Sequence, residues 1–266
     1  MSFKKTISYK CFINSKYSCI KYTNYFKIYD QLFKQYRGKK ITFVEIGIFS
    51  GGSLFMWRKF FGKKARIIGI DLDPKAKQFE KYGFEIFIGD QSKKEFWNKF
   101  FKKIGKVDVI LDDGGHTNFQ QIMTTNLCVP MIKDDGKLVV EDVHTSFIKK
   151  NWYNPSKYSF INYSKKVAED INTRFPVIKN FKYSLRKYIY KIDFFESIVS
   201  FEINRKLCLE NKFIDNRKKS TSPVEQRNIL SEKSIFFKIK KYFNLKSNFT
   251  YPIFLINALK LKKYFK

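Results

Sequence analysis

Between residues 41 and 148 the chain alternates short β-rich runs with helix-like stretches, and this alternation limits the fold more than any other feature. The runs are Ile41 to Ile46, Arg66 to Asp71, Phe84 to Ile88, Val107 to Asp112 and Lys137 to Glu141. Between them, Gly52 to Phe61 places Leu54, Trp57 and Phe61 on one helical face, and Lys93 to Lys103 groups Phe96 and Phe100 with Ile104. Asn118 to Ile132 is a third helix that Pro130 must kink or end. Strands that alternate with helices of this length predict an α/β fold: a mostly parallel, Rossmann-like sheet with crossover helices. The turn Asp134-Asp135-Gly136 is expected to start the fifth strand. Farther on, a helix is expected around Tyr163 to Phe175. The runs Lys187 to Asp193 and Ser197 to Ile203 then read as an antiparallel hairpin turning through Phe194, Phe195 and Glu196.

In an open sheet of this class, ligands bind outside the carboxyl ends of the strands. Those ends carry Glu45 with Gly47, Asp71 with Asp73, Asp90, Asp112 with Asp113, and Glu141 with Asp142. The two histidines, His116 and His144, follow the last two acid pairs onto the same rim. From Glu45 through Gly47 to Gly51, Gly52 and Ser53, a strand passes into a helix by a glycine-rich turn, which lets a ligand approach the helix N-terminus. The glycines do not spell the G-x-G-x-x-G of nicotinamide enzymes, which argues against an oxidoreductase. Asp71 closes the next strand, where a carboxylate can accept both hydroxyls of a ribose, so a nucleoside-bearing cofactor is expected. Asp113, Glu141 and Asp142 offer hard oxygens, which suit Mg²⁺ better than zinc. Neighbours along a strand point to opposite faces, so Glu141 and Asp142 can share an ion only if the chain is already leaving the sheet.

The formal charge of +29 raises the question of a polyanionic partner, and its distribution restrains the answer. Residues 41–148 hold 16 basic and 14 acidic side chains, whereas residues 1–40 carry +9, 149–205 carry +7 and 206–266 carry +11. Only 8 of the 53 basic residues are Arg, the side chain favoured for bidentate phosphate and guanine contacts, so nucleic acid is not the expected partner. The excess fits biased composition, or contact of the tail with an anionic membrane surface. The four scattered cysteines form neither a disulfide framework nor a zinc motif. No apolar run approaches the ~18 residues of a membrane span, and the N-terminus lacks a signal-peptide core. A cytoplasmic protein, peripheral at most at the inner membrane face, is expected.

Taken in order, VEIGIFSGGS, GIDLDP, GDQ, DVILDDGGH and LVVEDVHTSF resemble the class I S-adenosylmethionine-dependent sugar O-methyltransferases of the macrocin and mycinamicin type, with the related rhamnosyl O-methyltransferases of the cephalosporin hydroxylase-like group. YTNYFKIYDQLFKQYRGKKI is similar to the lead-in helix of that family and KIDFFESIVSFEI to its closing hairpin. The resemblance implies a methyltransferase domain over residues 1–205, with a helical lead-in over 1–40 and a basic extension over 206–266. It implies S-adenosyl-L-methionine at Glu45, Gly47, Gly51, Gly52, Ser53, Asp71, Asp90 and Gln91, Mg²⁺ at Asp113, Glu141 and Asp142, and His116 as catalytic base. His144 matches a position near the cofactor and acceptor. The acceptor is then a hydroxyl of a sugar or glycoconjugate that chelates the ion as a vicinal diol. A catechol-type acceptor, a basic binding module on a methyltransferase-like scaffold, and self-association of the chain are left open. Gly115 and Gln120 depart from the Ser and second His common in the family, and Trp152 stands later than the usual Trp.

Overall fold

The computed structural model describes residues 2–148, 157–174, 182–212, 214, 216–218 and 261. The chain divides into two units, Met1–Lys212 and Phe213–Lys266, and only scattered positions of the second are described. The Ser220 to Ser231 stretch, the Pro252 to Leu259 run and Trp152 lie outside the described residues.

The first unit opens with α1 (Ile7–Ile13) and α2 (Tyr25–Phe33), and then winds through β1 (Thr42–Ile46), α3 (Gly52–Phe61), β2 (Arg66–Asp71), β3 (Glu85–Ile88), α4 (Lys94–Ile104), β4 (Val107–Asp112), α5 (Asn118–Cys128) and β5 (Ile132–Val140). It continues with α6 (Phe160–Asn172), β6 (Ile189–Phe195) and β7 (Ile198–Ile203). The seven strands form one sheet in the order β3-β2-β1-β4-β5-β7-β6. Pairing is parallel from β3 to β5, and β7 runs antiparallel to both β5 and β6.

Period-two alternation along the parallel strands explains the two cores. Phe43, Ile67, Val109, Leu111 and Val139 point to one face, where they meet Tyr29, Phe33, Trp57 and Phe61 of α2 and α3. Val44, Ile46, Ile68, Ile70, Ile110, Leu138 and Val140 point to the other, against Trp97 and Phe100 of α4 and Phe160 of α6. The first face is rich in edge-to-face ring pairs, such as Tyr29 on Trp57 at 5.0 Å and Phe33 on Trp57 at 5.5 Å, the geometry that aromatic quadrupoles favour.

Several expected boundaries shift, each for a local reason. Pro130 ends α5, and a 3-10 turn over Val129–Met131 replaces the last helical turn expected there. Asp134-Asp135-Gly136 is not the start of a strand but a bulge within β5, with Asp135 at a positive φ of 64°. The hairpin turns at Glu196 and Ser197, because Phe194 and Phe195 still pair with Val199 and Ile198. Ser197 adopts the left-handed φ of 63° that so short a connection demands. No described helix is long and apolar enough to cross a membrane.

Glu45 is the one acid of β1, and it points into the aromatic core, fully buried. Its carboxyl accepts from Ser53 Oγ at 2.7 Å and Trp57 Nε1 at 2.9 Å, which ties the end of β1 to the first turns of α3. Burial pushes it up to about 7, against the pull of Lys21 and these two hydrogen bonds. The folded protein therefore keeps this proton to about pH 7, whereas the unfolded chain releases it near the ordinary 4.5, so the group makes stability fall as pH rises between those values and level off above them. Glu45→Gln should remove this slope: urea midpoints of wild type and variant, measured across the window, should differ by an amount that changes with pH, and a constant difference would contradict the assignment.

Candidate active site

The strand order reverses between β1 and β4, and a cavity of about 580 Å³ opens outside their carboxyl ends. One end is the turn after β1. Gly47 has a φ of 80°, and a β-carbon there would come within 2.1 Å of the Asp113 carbonyl oxygen, so only glycine fits between the two strand ends. Asp71 at the end of β2 braces this turn. Its Oδ2 accepts from the Ile48 and Phe49 amides at 3.0 and 3.3 Å, and its Oδ1 from the Asp73 amide at 2.9 Å. Ser53, at the start of α3, and Leu72 also line this end.

Not every residue expected at the cofactor lines the cavity. Ser53, Gly47, Asp71 and Gln91 do; Glu45, Gly51, Gly52 and Asp90 are not among the lining residues. The carboxyl of Glu45 is spent on Ser53 and Trp57, beneath the turn. Gly52 instead makes room for the N-terminal segment, since a β-carbon would meet the Tyr17 and Ser18 carbonyls at 2.3 and 2.2 Å. Asp90 accepts from the Ser92 amide at 2.8 Å, capping the turn before α4. Gln91 serves as a strut: its Nε2 donates to Asp112 Oδ1 at 2.9 Å and Thr124 Oγ1 at 3.0 Å, and its Oε1 accepts from the Gly115 amide at 3.0 Å. It thus fixes the loop that carries His116.

The other end of the cavity is acidic. Asp113 follows β4, and Glu141 and Asp142 follow β5, where the chain has already left the sheet. Asp142 stands at a left-handed φ of 55°, and this turn lets its carboxylate reach His116. His116 has the same φ of 55° and Phe49 a φ of 42°, so three strained non-glycine residues border one cavity, as strain at functional sites often does. His116 Nε2 lies 3.4 Å from Asp142 Oδ2 and 3.9 Å from Asp113 Oδ1. One ligand atom each from Asp113, His116 and Asp142 fall within 4.8 Å of one another, close enough to surround a metal ion. His116 Nδ1 is buried without a hydrogen-bond partner.

Glu141 also lines the cavity, but its carboxyl oxygens are taken by other side chains. Its Oε1 accepts from Tyr29 Oη at 2.6 Å and its Oε2 from Lys21 Nζ at 2.8 Å, while Lys21 also donates to Asp113 Oδ2 at 2.5 Å. Burial opposes a charged Lys21, but Asp113 and Glu141 outweigh it and hold the ammonium well above its usual range. Burial likewise raises Glu141, to about 8, with Lys21 acting against it. Tyr25 Oη donates to Asp142 Oδ1 and to Ser197 Oγ, the latter at 2.9 Å. His144 does not line the cavity; it packs edge-on against Tyr22, with ring centroids 5.6 Å apart, and its Nδ1 pairs with Ser197 Oγ. Gln120, where the resemblance expects a second His, closes a capping box with Thr117 at the start of α5.

Sequence reasoning missed Lys21, Tyr25 and Tyr29, which hold all three acids. A signal existed: Tyr25 and Tyr29 stand four apart on the buried face of α2, and a buried tyrosine hydroxyl requires a partner.

Residues 44–143 match the sequence model of a family described as a methyltransferase domain. Mycinamicin VI 2''-O-methyltransferase of Micromonospora griseorubida is 30% identical over 126 residues, which is 45% of this chain and 31% of that protein. Demethylmacrocin O-methyltransferase of Streptomyces fradiae is also 30% identical over 126 residues, with the same coverage of 45% and 31%. The chain thus spans about a third of the length of these relatives. Among solved structures, the MycE methyltransferase from the mycinamycin biosynthetic pathway in complex with Mg and SAH superposes with a TM-score of 0.62 at 21% identity, over 77% of this chain and 54% of that one, a likeness of fold. The family match takes in the glycine turn, Asp71 and the three acids, and leaves out the Lys21 to Tyr29 wall. Residues 44–143 are therefore similar in sequence to a methyltransferase domain and to part of the sugar O-methyltransferases, and they lie on a Rossmann-like sheet.

Proposed function

We propose that this chain transfers a methyl group from S-adenosylmethionine to a hydroxyl of a sugar or glycoconjugate, with Mg²⁺ at the acid cluster. The observation that carries this reading is the continuity of one cavity, from the Gly47 turn and Asp71 at one end to Asp113, His116 and Asp142 at the other. Donor and acceptor can then meet within it. The relatives lend support: their names are those of O-methyltransferases, one of them for a rhamnosyl tetracenomycin-C, and a further MycE structure holds Mg, SAH and mycinamycin VI. Residues 1–205 are the catalytic unit on this reading. The 206–266 extension carries a net charge of +11, which suits contact with an anionic surface.

The donor set fits a hard divalent ion, because Asp113 and Asp142 present carboxylate oxygens beside His116. Bound there, such an ion supplies Lewis acidity that lowers the pKa of an acceptor hydroxyl. The chain's own residues do the rest. Asp71 accepts from the ribose hydroxyls while keeping the Ile48 and Phe49 amides aligned. His116 Nε2 takes the proton of the acceptor hydroxyl, and Asp142, 3.4 Å away, stabilises the resulting imidazolium. The Gln91 strut and the Tyr25 hydrogen bond hold base and acid in place. Apolar lining from Ile46, Ile48 and Ile70 limits water around the transferring methyl group.

Three outcomes test this. Asp71→Ala should weaken binding of S-adenosylmethionine in calorimetry by roughly tenfold or more, as a charged group's hydrogen bonds are lost; equal affinities would remove Asp71 from the cofactor site. Methylation of candidate glycosides, read by mass spectrometry, should stop in EDTA and return with Mg²⁺, and full turnover in chelator would exclude the ion from the reaction. His116→Ala should lower kcat by about 10²-fold or more with cofactor affinity unchanged, and an unaltered kcat would rule out His116 as the base.

A further inference from the structure

The resemblance assigns Glu141 to the metal, yet the structure pairs it with an ammonium. We propose that Lys21 is a positioning residue that withholds Glu141 from a divalent ion, leaving Asp113 and Asp142 as the carboxylate ligands; this inference rests on the metal-dependent reading above.

The argument begins with position. Lys21 Nζ bridges Asp113 Oδ2 at 2.5 Å and Glu141 Oε2 at 2.8 Å. A Mg²⁺ ion bound to those same two oxygens would require each at about 2.0–2.1 Å, so it would have to stand in the space that Nζ fills. The ammonium and an ion bridging this pair exclude one another. Asp113 Oδ1 and Asp142 Oδ2, 3.9 and 3.4 Å from His116 Nε2, are not the oxygens that Lys21 engages.

Lys21 is also built to stay. Its side chain is 2% exposed and that of Glu141 is 1% exposed, so an unpaired Glu141 carboxylate would be costly to keep charged. The Tyr29 ring lies 5.8 Å from Nζ, and its hydroxyl takes the other Glu141 oxygen. The chain leading to Lys21 is anchored: Ser15 Oγ donates to the Gly52 carbonyl at 2.6 Å, and the Ile7 and Ser8 amides donate to Asp30 of α2 at 2.7 and 2.9 Å. The ammonium of Lys21 beside Asp113 also weakens the field that an ion at Asp113 and Asp142 meets, and the ion's affinity falls accordingly.

Mn²⁺ is the probe, titrated into the full chain with the free ion read by electron paramagnetic resonance. Lys21→Gln should bind Mn²⁺ at least about tenfold more tightly than wild type, because Glu141 then joins the ligand set, and Lys21→Gln with Glu141→Gln should return affinity to near the wild-type value. Glu141→Gln alone, which leaves Lys21 on Asp113, should change Mn²⁺ affinity less than about threefold and serves as the independent test should Lys21→Gln fail to fold. Equal or weaker binding in Lys21→Gln overturns the proposal, as does a gain that survives Glu141→Gln or a large loss in Glu141→Gln alone. Absence of Mn²⁺ binding in every form, with SAH binding intact, would instead overturn the metal-dependent reading and this inference with it.

Discussion

The reversal of strand order between β1 and β4 is the constraint on which the site depends. Connections on the two sides of this point leave toward opposite faces, so α3 covers one face and α5 the other, and no crossover fills the gap above Gly47 and Asp113. Everything chemical in the molecule is arranged around that gap. The parallel strands deliver their terminal acids to it because each runs in the same direction. Val44 and Ile110 pair across the strands that flank it, which keeps the two edges in register to within the van der Waals contact of Gly47 with the Asp113 backbone.

The sheet was legible because its strands are buried on both faces and read as near-continuous apolar runs, with an acid marking each end. The antiparallel hairpin was legible as a pair of β-rich runs, but its turn was not: Phe194 and Phe195 look the same to a sequence pattern whether they pair or turn. The bulge at Asp135 was hidden for the opposite reason, since an Asp-Asp-Gly sequence signals a turn between elements, and only the register against Val107 and Val109 shows it to be internal to a strand.

At the site, what could be read was residue type, and what could not was commitment. Asp71, Asp113, His116 and Asp142 reach the cavity as their strand ends dictate. Glu45 and Gln91 are chemically plausible ligands whose hydrogen-bonding capacity is already used inside the protein, a fact set by partners eight to thirty-three residues away. Lys21 lay beyond reach for the same reason on a larger scale. It meets Asp113 and Glu141 across separations of 92 and 120 residues, and one lysine among the many in this chain carries no mark of its destination.

The contact of Tyr25 with Ser197 joins residues 172 positions apart, and both belong to the wall that holds Asp142. A ribosome releases α2 long before the hairpin turn exists, so the Tyr25 hydroxyl lacks its Ser197 partner until β7 has been made, whereas Tyr29 needs only Glu141 after β5. Closing so long a loop is slow. The wall around Asp142 is thus completed by one of the longest-range contacts in the described chain, and a nearly complete sheet can exist before that wall is closed.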